Sequence, residues 1–365
     1  MEENKIKLNR SLYPLACLYR LGVWVRNKMY DWGICRSKSF DIPVISIGNI
    51  AVGGTGKTPH TEMIIELLKK DFSIAVLSRG YKRKTSGYVI ADDKANANKI
   101  GDESYQIYCK YPDITVAVDE DRADGITKLM SMKTPFVEVV VLDDAFQHRK
   151  VDVGLNILLT DYNRMYCDDA VLPVGRLREP MKSKSRADIV IVTKCPKDMK
   201  PIEYNILSKR LELFPYQKLF FSSIEYEPLA KLSQFESKLY TADLQTKYIL
   251  LVTAIASETQ IMNSLKERSK QVVSLSFSDH HYFSNKDIAK ICKAFEKIES
   301  DDKIIVVTEK DATKLRDCTI PEEIKDKIYV QPIRTVILQD KEEYFNKQII
   351  DYVRKNKRNG RIPKE

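Results

Sequence analysis

The sequence predicts an α/β protein with a mostly parallel β-sheet domain, a second and smaller α/β domain, and an amphipathic helix at the N-terminus. A glycine-rich loop joins an apolar run to a helical pattern, and apolar runs alternate with helical patterns along the chain. The first 35 residues mix aromatic and basic side chains. The expected regions are residues 1–42 for the helical segment, 43–215 for the first domain and 216–365 for the smaller domain.

The N-terminal segment combines the chain's two tryptophans, Trp24 and Trp32, with tyrosines and basic residues. It lacks the ~20 uncharged residues that a membrane-spanning helix needs, and also the uninterrupted apolar core of a signal peptide. Amphipathic rings and basic groups are both stable at the lipid headgroup boundary. We therefore expect an interfacial helix that stays on the mature protein. Packing onto the protein's own core is the alternative, because Arg20, Arg26 and Lys28 do not fall on one face.

A glycine-rich loop, Gly53-Gly54-Thr55-Gly56-Lys57-Thr58, follows the apolar run at 42–47 and precedes a helical pattern at 61–70. In such a loop, small residues let backbone N–H groups point at phosphate oxygens, the Lys reaches the β- and γ-phosphates, and the Thr hydroxyl binds Mg²⁺. The strict Walker spacing asks for glycine at position 51, where this chain has Ala51. The loop predicts a P-loop NTPase-like domain that binds a nucleoside triphosphate. A glycine-rich turn that only caps a helix is the alternative.

The run from Val137 to Leu142 is mostly β-branched and is followed by two acids, Asp143 and Asp144. A parallel strand buried on both faces has this composition, and its carboxyl end delivers the Walker B acid to a metal. Because Asp is also common in the turns that follow strands, the run alone leaves both interpretations open. Together with the glycine-rich loop, it predicts a Walker B strand.

Further apolar runs alternate with helical or loop segments, which is typical of right-handed β-α-β units. In the first domain the predicted strands are 43–47, 73–78, 114–118, 136–142, 154–160 and 187–193. Three prolines between 196 and 215 then mark a break, and 219–224 opens new strand-like material. In the second domain the predicted strands are 248–254, 271–277, 303–307 and 327–338, and the predicted helices are 257–268, 285–298 and 340–355.

The amino-acid composition limits which classes of protein this chain can belong to. The chain has 365 residues, 43% of them apolar and 30% charged, which is ordinary for a globular protein of two domains. Its seven cysteines are widely spaced and include no C-x-x-C pair, which indicates reduced thiols rather than a disulfide framework or a zinc site. The formal charge of +9 suits an acidic partner. Since no nucleic-acid-binding motif accompanies that charge, we expect no nucleic-acid partner.

A series of motifs, in chain order, resembles the tetraacyldisaccharide 4'-kinases, the lipid A 4'-kinases of Gram-negative bacteria. The motifs are Ser46 to Pro59, Ser78-Arg79-Gly80-Tyr81, Gly101-Asp102-Glu103, Asp143-Asp144-Ala145-Phe146-Gln147-His148, Leu172 to Pro180, Asp279-His280 and Thr308-Glu309-Lys310-Asp311-Ala312. So many spaced motifs in one order do not agree by chance. The family's loop also lacks the glycine that Ala51 replaces, so this departure from the Walker spacing supports the resemblance.

The resemblance implies ATP and Mg²⁺ as cofactors, and phosphoryl transfer to the 4'-hydroxyl of the acylated glucosamine disaccharide 1-phosphate that precedes lipid A. It implies that Arg178 places positive charge on the transferring group. The implied metal ligands are Thr58, Asp143, Asp144, Gln147 and Glu179. The residues alone would identify Gln147 and Glu179 only as polar loop residues.

The resemblance also points to Asp102 and His280 as the pair that accepts the proton of the sugar hydroxyl. The two residues lie in different expected domains, so they would meet across a cleft that the smaller domain closes. His281 is the alternative to His280. From the residues alone, Asp102 would be a helix cap and His280 a turn residue.

As partners we expect the acylated disaccharide lipid and a membrane surface, with peripheral attachment to the cytoplasmic face of the inner membrane of a Gram-negative bacterium. ParA/MinD-like nucleotide switches share the loop, but they have Lys immediately before the glycine pair, where this chain has Val52. A GTP-binding switch needs a base-reading Asp where this chain has Pro196. A kinase of a soluble small metabolite fits the motifs alone. Only the N-terminal segment and the resemblance argue against it.

Overall fold

The computed structural model describes residues 8–232, 244–255, 257–279, 281–316 and 318–359. The strands are β1 Val44–Asn49, β2 Ile74–Ser78, β3 Val89–Ile90, β4 Thr115–Val118, β5 Val139–Asp143, β6 Leu155–Asp161, β7 Ile189–Thr193, β8 Lys218–Tyr226, β9 Ala230–Lys231, β10 Tyr248–Thr253, β11 Gln271–Ser276, β12 Lys303–Thr308, β13 Ile328–Gln331 and β14 Ile333–Ile337. The α-helices are α1 Tyr13–Asp31, α2 Lys57–Leu68, α3 Ala97–Ile100, α4 Asp102–Lys110, α5 Arg122–Ser131, α6 Pro201–Leu211, α7 Thr259–Arg268, α8 Asn285–Glu296, α9 Glu309–Leu315, α10 Glu322–Lys325 and α11 Glu342–Asn359.

Across these ranges the strands form two sheets. The larger sheet has the order β14-β8-β7-β6-β1-β5-β2-β4-β3. Its strands are parallel except at the two edges, where β14 and β3 run antiparallel to their neighbours. The smaller sheet has the order β11-β10-β12-β13-β9, and only β9 is antiparallel. The predicted α/β class, with a mostly parallel sheet and a smaller α/β unit, is confirmed.

Helices cover both faces of the larger sheet, which explains the near-continuous apolar runs in the sequence. Every residue of β1, β2, β5 and β7 is buried. Alternate residues of β1 enter different cores: Ile45 packs with Ile64 of α2, whereas Val44 packs with Ile126 of α5. Side chains alternate between the two faces of a strand, so α2 and α5 lie on opposite faces of the sheet.

The division between the sheets differs from the expected domain boundary at 215/216. Strand β8 pairs in parallel with β7, and β14 pairs with β8, so both belong to the larger sheet. Helix α11 also returns to it: Phe345 is fully buried and lies edge-on to Phe220 of β8, with ring centroids 5.1 Å apart. The apolar run at 219–224 was expected to open new material because prolines precede it. An apolar run does not specify which strand it will pair with.

Helix α1 exposes large apolar side chains and contacts the larger domain through polar ones. Ala16 is its buried residue, whereas Leu18 is 67% and Trp24 49% exposed. The Tyr19 hydroxyl donates to the Arg178 carbonyl at 3.0 Å, and Arg26 Nη2 donates to the Gln147 carbonyl at 2.7 Å. In the part of the chain that the structure describes, no helix is long and apolar enough to cross a membrane.

The return of α11 to the larger domain predicts a large loss of stability for Phe345→Ala. Truncating a fully buried ring leaves a cavity, which typically costs about 3–5 kcal/mol in the free energy of unfolding. Lys347→Ala, at an exposed position of the same helix, is the matched control. Urea denaturation of both variants measures the difference. Equal stability of the two variants would show that α11 is not part of this core.

Candidate active site

The glycine-rich loop connects the carboxyl end of β1 to the first turn of α2. Gly53 and Gly56 have φ angles of 121° and 85°, in the left-handed region that favours glycine. Asn49 Nδ2 donates to Thr55 Oγ1 at 2.6 Å, and Thr193 Oγ1 donates to the Thr55 carbonyl at 2.9 Å. The loop is therefore anchored to the ends of β1 and β7. The first N–H groups of a helix lack intrahelical partners, so this arrangement presents an anion-binding N-terminus.

His60, in the first turn of α2, ties the loop to β8. Its Nδ1 lies 2.7 Å from the Gly56 carbonyl and its Nε2 lies 2.9 Å from Ser222 Oγ. The carbonyl only accepts, so Nδ1 carries the proton and a neutral Nε2 accepts from the serine hydroxyl. Burial lowers the pKa of His60 to about 4, which keeps the ring neutral near pH 7. No motif in the sequence identified this contact.

Two acids stand beside the loop at the end of β5. Asp143 is buried and accepts a hydrogen bond from Thr61 Oγ1 at 2.9 Å. Burial and, to a smaller extent, the charges of Glu103 and Asp144 together raise the pKa of Asp143 to about 7. Asp144 has a left-handed φ of 48°, and its Oδ2 lies 3.7 Å from Lys57 Nζ. The structure thus brings the predicted lysine and the predicted acids together.

Arg178 and Gln147 line the same side of the site. Arg178 Nη1 lies 3.3 Å from each carboxylate oxygen of Asp144 and 3.4 Å from Gln147 Oε1. The Arg178 backbone N–H donates to the Ile50 carbonyl at 2.7 Å, and Gln147 Nε2 donates to the Asn49 carbonyl at 2.7 Å. Both residues are therefore fixed to the chain that leads out of β1 into the loop.

Glu179 is buried, and its two carboxylate oxygens have different surroundings. Its Oε2 accepts from Arg186 Nη2 at 2.7 Å, whereas Oε1 has no hydrogen-bond partner within the described ranges. A buried unpaired oxygen of this kind commonly marks the place of an ion or a water molecule. The predicted metal ligands Thr58, Asp143, Asp144 and Gln147 supply oxygen atoms as well.

These oxygen donors fit Mg²⁺. The ion is usually bound by one or two carboxylates, with water and substrate phosphates completing its octahedron. The described residues contain no group of three or more His, Cys, Asp or Glu side chains placed to hold a metal ion.

Asp102 is the first residue of α4 and contacts the smaller domain. It is buried, and its Oδ2 lies 2.9 Å from Lys314 Nζ of α9. The Tyr282 hydroxyl donates to its Oδ1 at 3.1 Å. Lys314 Nζ also donates to the His281 carbonyl at 3.1 Å. The segment around residues 281 and 282 therefore lies against Asp102, in a contact between the two domains.

His280, the predicted partner of Asp102, lies outside the described residues. Its neighbour His281 does not face Asp102: His281 Nε2 lies 3.1 Å from Asp287 Oδ2 of α8, and its ring stacks on Phe277 at 4.9 Å. These contacts hold the alternative histidine within the smaller domain.

Lys194 is a site residue that the sequence reasoning did not select. It follows β7 with a left-handed φ of 58°, and its Nζ contacts both the Gly54 carbonyl and, at 2.7 Å, Asp161 Oδ2. The lysine thereby fixes the loop to the end of β6. The stretch Thr193-Lys194-Cys195-Pro196 follows the base-reading motif of GTP-binding switches except at Pro196, and its lysine is the available signal in the sequence.

Three comparisons identify the family. The family model described as LpxK, tetraacyldisaccharide-1-P 4'-kinase, matches residues 8–354. The chain is 54% identical to the tetraacyldisaccharide 4'-kinase of Bacteroides fragilis, over 100% of this chain and 98% of that protein. It is 41% identical to the tetraacyldisaccharide 4'-kinase of Porphyromonas gingivalis, over 96% of this chain and 99% of that protein.

The fold agrees with a solved structure of the same family. The "apo" form of LpxK from Aquifex aeolicus in complex with ATP is similar with a TM-score of 0.71 and 28% identity, over 94% of this chain and 99% of that one. The family model and the two relatives cover nearly the whole chain, and the glycine-rich loop and the strand-end acids have the geometry of a phosphate-binding site. The chain therefore belongs to the tetraacyldisaccharide 4'-kinase family, as its motifs predicted.

Proposed function

We propose that this protein transfers the γ-phosphate of ATP to the 4'-hydroxyl of the acylated glucosamine disaccharide 1-phosphate precursor of lipid A. The observation that carries the proposal is the meeting of Lys57, Asp144 and Arg178 at one edge of the parallel sheet, beside an anion-binding helix N-terminus. Phosphoryl transfer depends mainly on positioning and on charge stabilisation, and this edge supplies both. The family match and the ATP-bound structural relative support the same reaction.

Each residue at this edge of the sheet would make a different contact with ATP. The backbone of residues 53–58 would cradle the phosphates, and Lys57 would reach the β- and γ-phosphates. Arg178, which contacts Asp144 here, would turn to the transferring group once phosphate is bound. Bound Mg²⁺ would neutralise charge on the phosphates, held by Thr58, Asp143, Asp144, Gln147 and Glu179. The unpaired Oε1 of Glu179 supports this assignment.

Asp102 and His280 would activate the sugar hydroxyl. His280 would accept the proton as the hydroxyl oxygen attacks the γ-phosphorus, and Asp102 would orient the imidazole and stabilise its charged form. The contacts of Tyr282 and Lys314 with Asp102 support this arrangement, because they bring the chain next to His280 up to the carboxylate. His281 is less suited, since Asp287 already engages its ring.

The exposed apolar residues of α1 favour a lipid acceptor over a soluble metabolite. They support peripheral attachment to the cytoplasmic face of the inner membrane, where the ring-bearing and basic residues of α1 would meet the headgroups. A ParA/MinD-like switch is disfavoured, because Val52 replaces its signature lysine and the chain belongs to a kinase family.

Lys57→Ala tests the catalytic assignment. Removing a preorganised charge on the transferring phosphate is expected to lower kcat by roughly 10³-fold. The assay measures transfer of the label from ATP to an acceptor. Comparing a detergent-dispersed acylated disaccharide with a water-soluble sugar also shows which class of acceptor the enzyme uses. Lys69→Ala, just past the far end of α2, is the control, because the described contacts of the Lys69 ammonium are with Glu66 and the Tyr111 ring, away from the loop. A folded Lys57→Ala protein with full activity would refute the loop's role, and equal transfer to the soluble sugar would refute the lipid acceptor.

Leu18→Glu with Leu21→Glu tests the membrane surface. The two leucines are 67% and 55% exposed, so replacing them leaves the fold intact. Each contributes roughly 1.5–3 kcal/mol when fully buried in lipid, and the double variant is expected to bind anionic vesicles more than about tenfold more weakly. Vesicle sedimentation measures the binding.

The control for this prediction is Ile202→Glu with Ile206→Glu on α6. These isoleucines are 61% and 48% exposed, and their replacement changes the net charge by the same amount. If both double variants lose binding equally, charge alone explains the effect and α1 is not the anchor. Transfer to detergent-dispersed substrate is expected to survive in both.

A further inference from the structure

Lys314 is a buried lysine in α9 that has no assigned role in the proposed reaction. Its side chain and that of Asp102 are each only 2% exposed. Burying an ammonium group costs several kcal/mol unless a partner compensates for the lost hydration. A lysine is therefore stable at such a position only with partners, and within the described residues Lys314 meets Asp102 Oδ2 at 2.9 Å and the His281 carbonyl at 3.1 Å.

Hydrogen bonds hold the start of α9 within the smaller domain, and they thereby fix the position of the backbone that carries Lys314. Thr308 caps the helix, accepting from the Asp311 backbone N–H at 3.2 Å. The Asp311 carboxylate in turn accepts from the Ala254 backbone N–H at 3.0 Å, next to the end of β10. These bonds connect α9 to the ends of β10 and β12. The helix that carries the Lys314 ammonium group to Asp102 is therefore held in a fixed orientation.

Tyr282 completes the surroundings of Asp102 from the loop before α8. Its hydroxyl donates to Oδ1, while Lys314 approaches Oδ2. Lys314 Nζ also lies 5.5 Å from the centroid of the Tyr282 ring. Burial and the Asp102 charge raise the pKa of Tyr282 to about 12, so its hydroxyl keeps the proton that it donates. Each oxygen of the carboxylate therefore meets a donor from the smaller domain.

A second ionic contact joins the two domains independently of Lys314. Lys110 of α4 lies 2.6 Å from Glu62 of α2 and 2.7 Å from Glu309 of α9. This pair joins the same two helices, α4 and α9, at the opposite end of α4 from Asp102. It contacts neither Asp102 nor the loop around residue 281 in the described contacts.

We propose that Lys314 is a positioning residue that keeps Asp102 ionised and holds it against the loop at 281–282, with Tyr282 orienting the carboxylate. The inference rests on the proposed role of Asp102 in activating the acceptor. A carboxylate supports a neighbouring proton acceptor only while it is charged and correctly turned. The positive charge of Lys314 stabilises the ionised carboxylate of Asp102, and the hydrogen bond from Tyr282 fixes the orientation of that carboxylate.

The test compares Lys314→Met with Lys110→Met in the full-length protein, using the labelled-ATP assay with detergent-dispersed lipid. Both variants remove an ammonium group from the α4 and α9 contact, fully buried at Lys314 and partly buried at Lys110, so both lose stability. Only Lys314→Met is expected to lower kcat, by about 10²-fold, with the KM for ATP little changed. Lys314→Arg keeps the charge and is expected to recover most of the lost rate.

Asp102→Asn separates this inference from the proposed function. Because the two residues act as one unit, the double variant Asp102→Asn with Lys314→Met is expected to be little slower than Asp102→Asn alone. Full activity of Asp102→Asn would refute the role of Asp102 itself. A slow Asp102→Asn together with a Lys314→Met that behaves like Lys110→Met would overturn the inference and leave the proposed function standing.

Two further variants keep the test decisive if Lys314→Met does not fold. Lys314→Gln removes the charge but keeps a hydrogen-bond donor, and it is expected to show the same selective loss of kcat. Tyr282→Phe leaves the ion pair and the ring in place and removes one hydrogen bond. It is expected to lower kcat by about fivefold. Unchanged kcat in both variants would overturn the inference.

Discussion

The parallel pairing of β1 with β5 is the constraint on which the active site depends. Its register sets Ile47 opposite Asp143, so the strand that leads into the glycine-rich loop and the strand that carries the acids end at the same edge. Strands β6 and β7 continue that edge and add Asp161 and Thr193 beneath the loop. In open parallel sheets, ligands bind outside the carboxyl ends of the strands. Residues from four separate segments meet here only because the strands share one direction.

Most strands of the larger sheet could be predicted, because each one is a short apolar run within its own segment of the sequence. The runs 43–47, 73–78, 114–118, 136–142, 154–160 and 187–193 correspond to β1, β2, β4, β5, β6 and β7. Apolar continuity is a property of the segment itself and needs no knowledge of its neighbours. The membership of β8 and α11 was not predictable, because pairing with β7 and packing on Phe220 are choices between distant partners.

The same distinction applies to the site. Lys57, Asp143 and Asp144 belong to motifs whose spacing carries a mechanism, and the structure brings them together. Lys314 and Tyr282 are single polar residues, and their contacts with Asp102 span more than 170 positions. No local pattern distinguishes a buried lysine that meets a distant carboxylate from one in a solvated helix. The role of His280 stays a prediction.

Charged side chains make the contact between α4 of the larger domain and α9 of the smaller one. Apolar packing also joins the two domains at the end of β8, where Tyr226 lies against the apolar cluster that contains Ile249 and Ile304. A buried ion pair loses most of its value when one partner is removed, because the other charge is left without compensation. The contact is therefore sensitive to the exact approach of the domains. Polar contacts of this kind are typical of domains that move relative to one another.

Helix α1 lies directly against the acid side of the site. Its Tyr19 and Arg26 bond to the backbone carbonyls of Arg178 and Gln147, the residues that line the acid side of the site. Leu18 and Leu21 of the same helix are exposed. The bonds to backbone carbonyls make the position of α1 beside the site a property of the fold, because it does not depend on which side chains occupy positions 147 and 178.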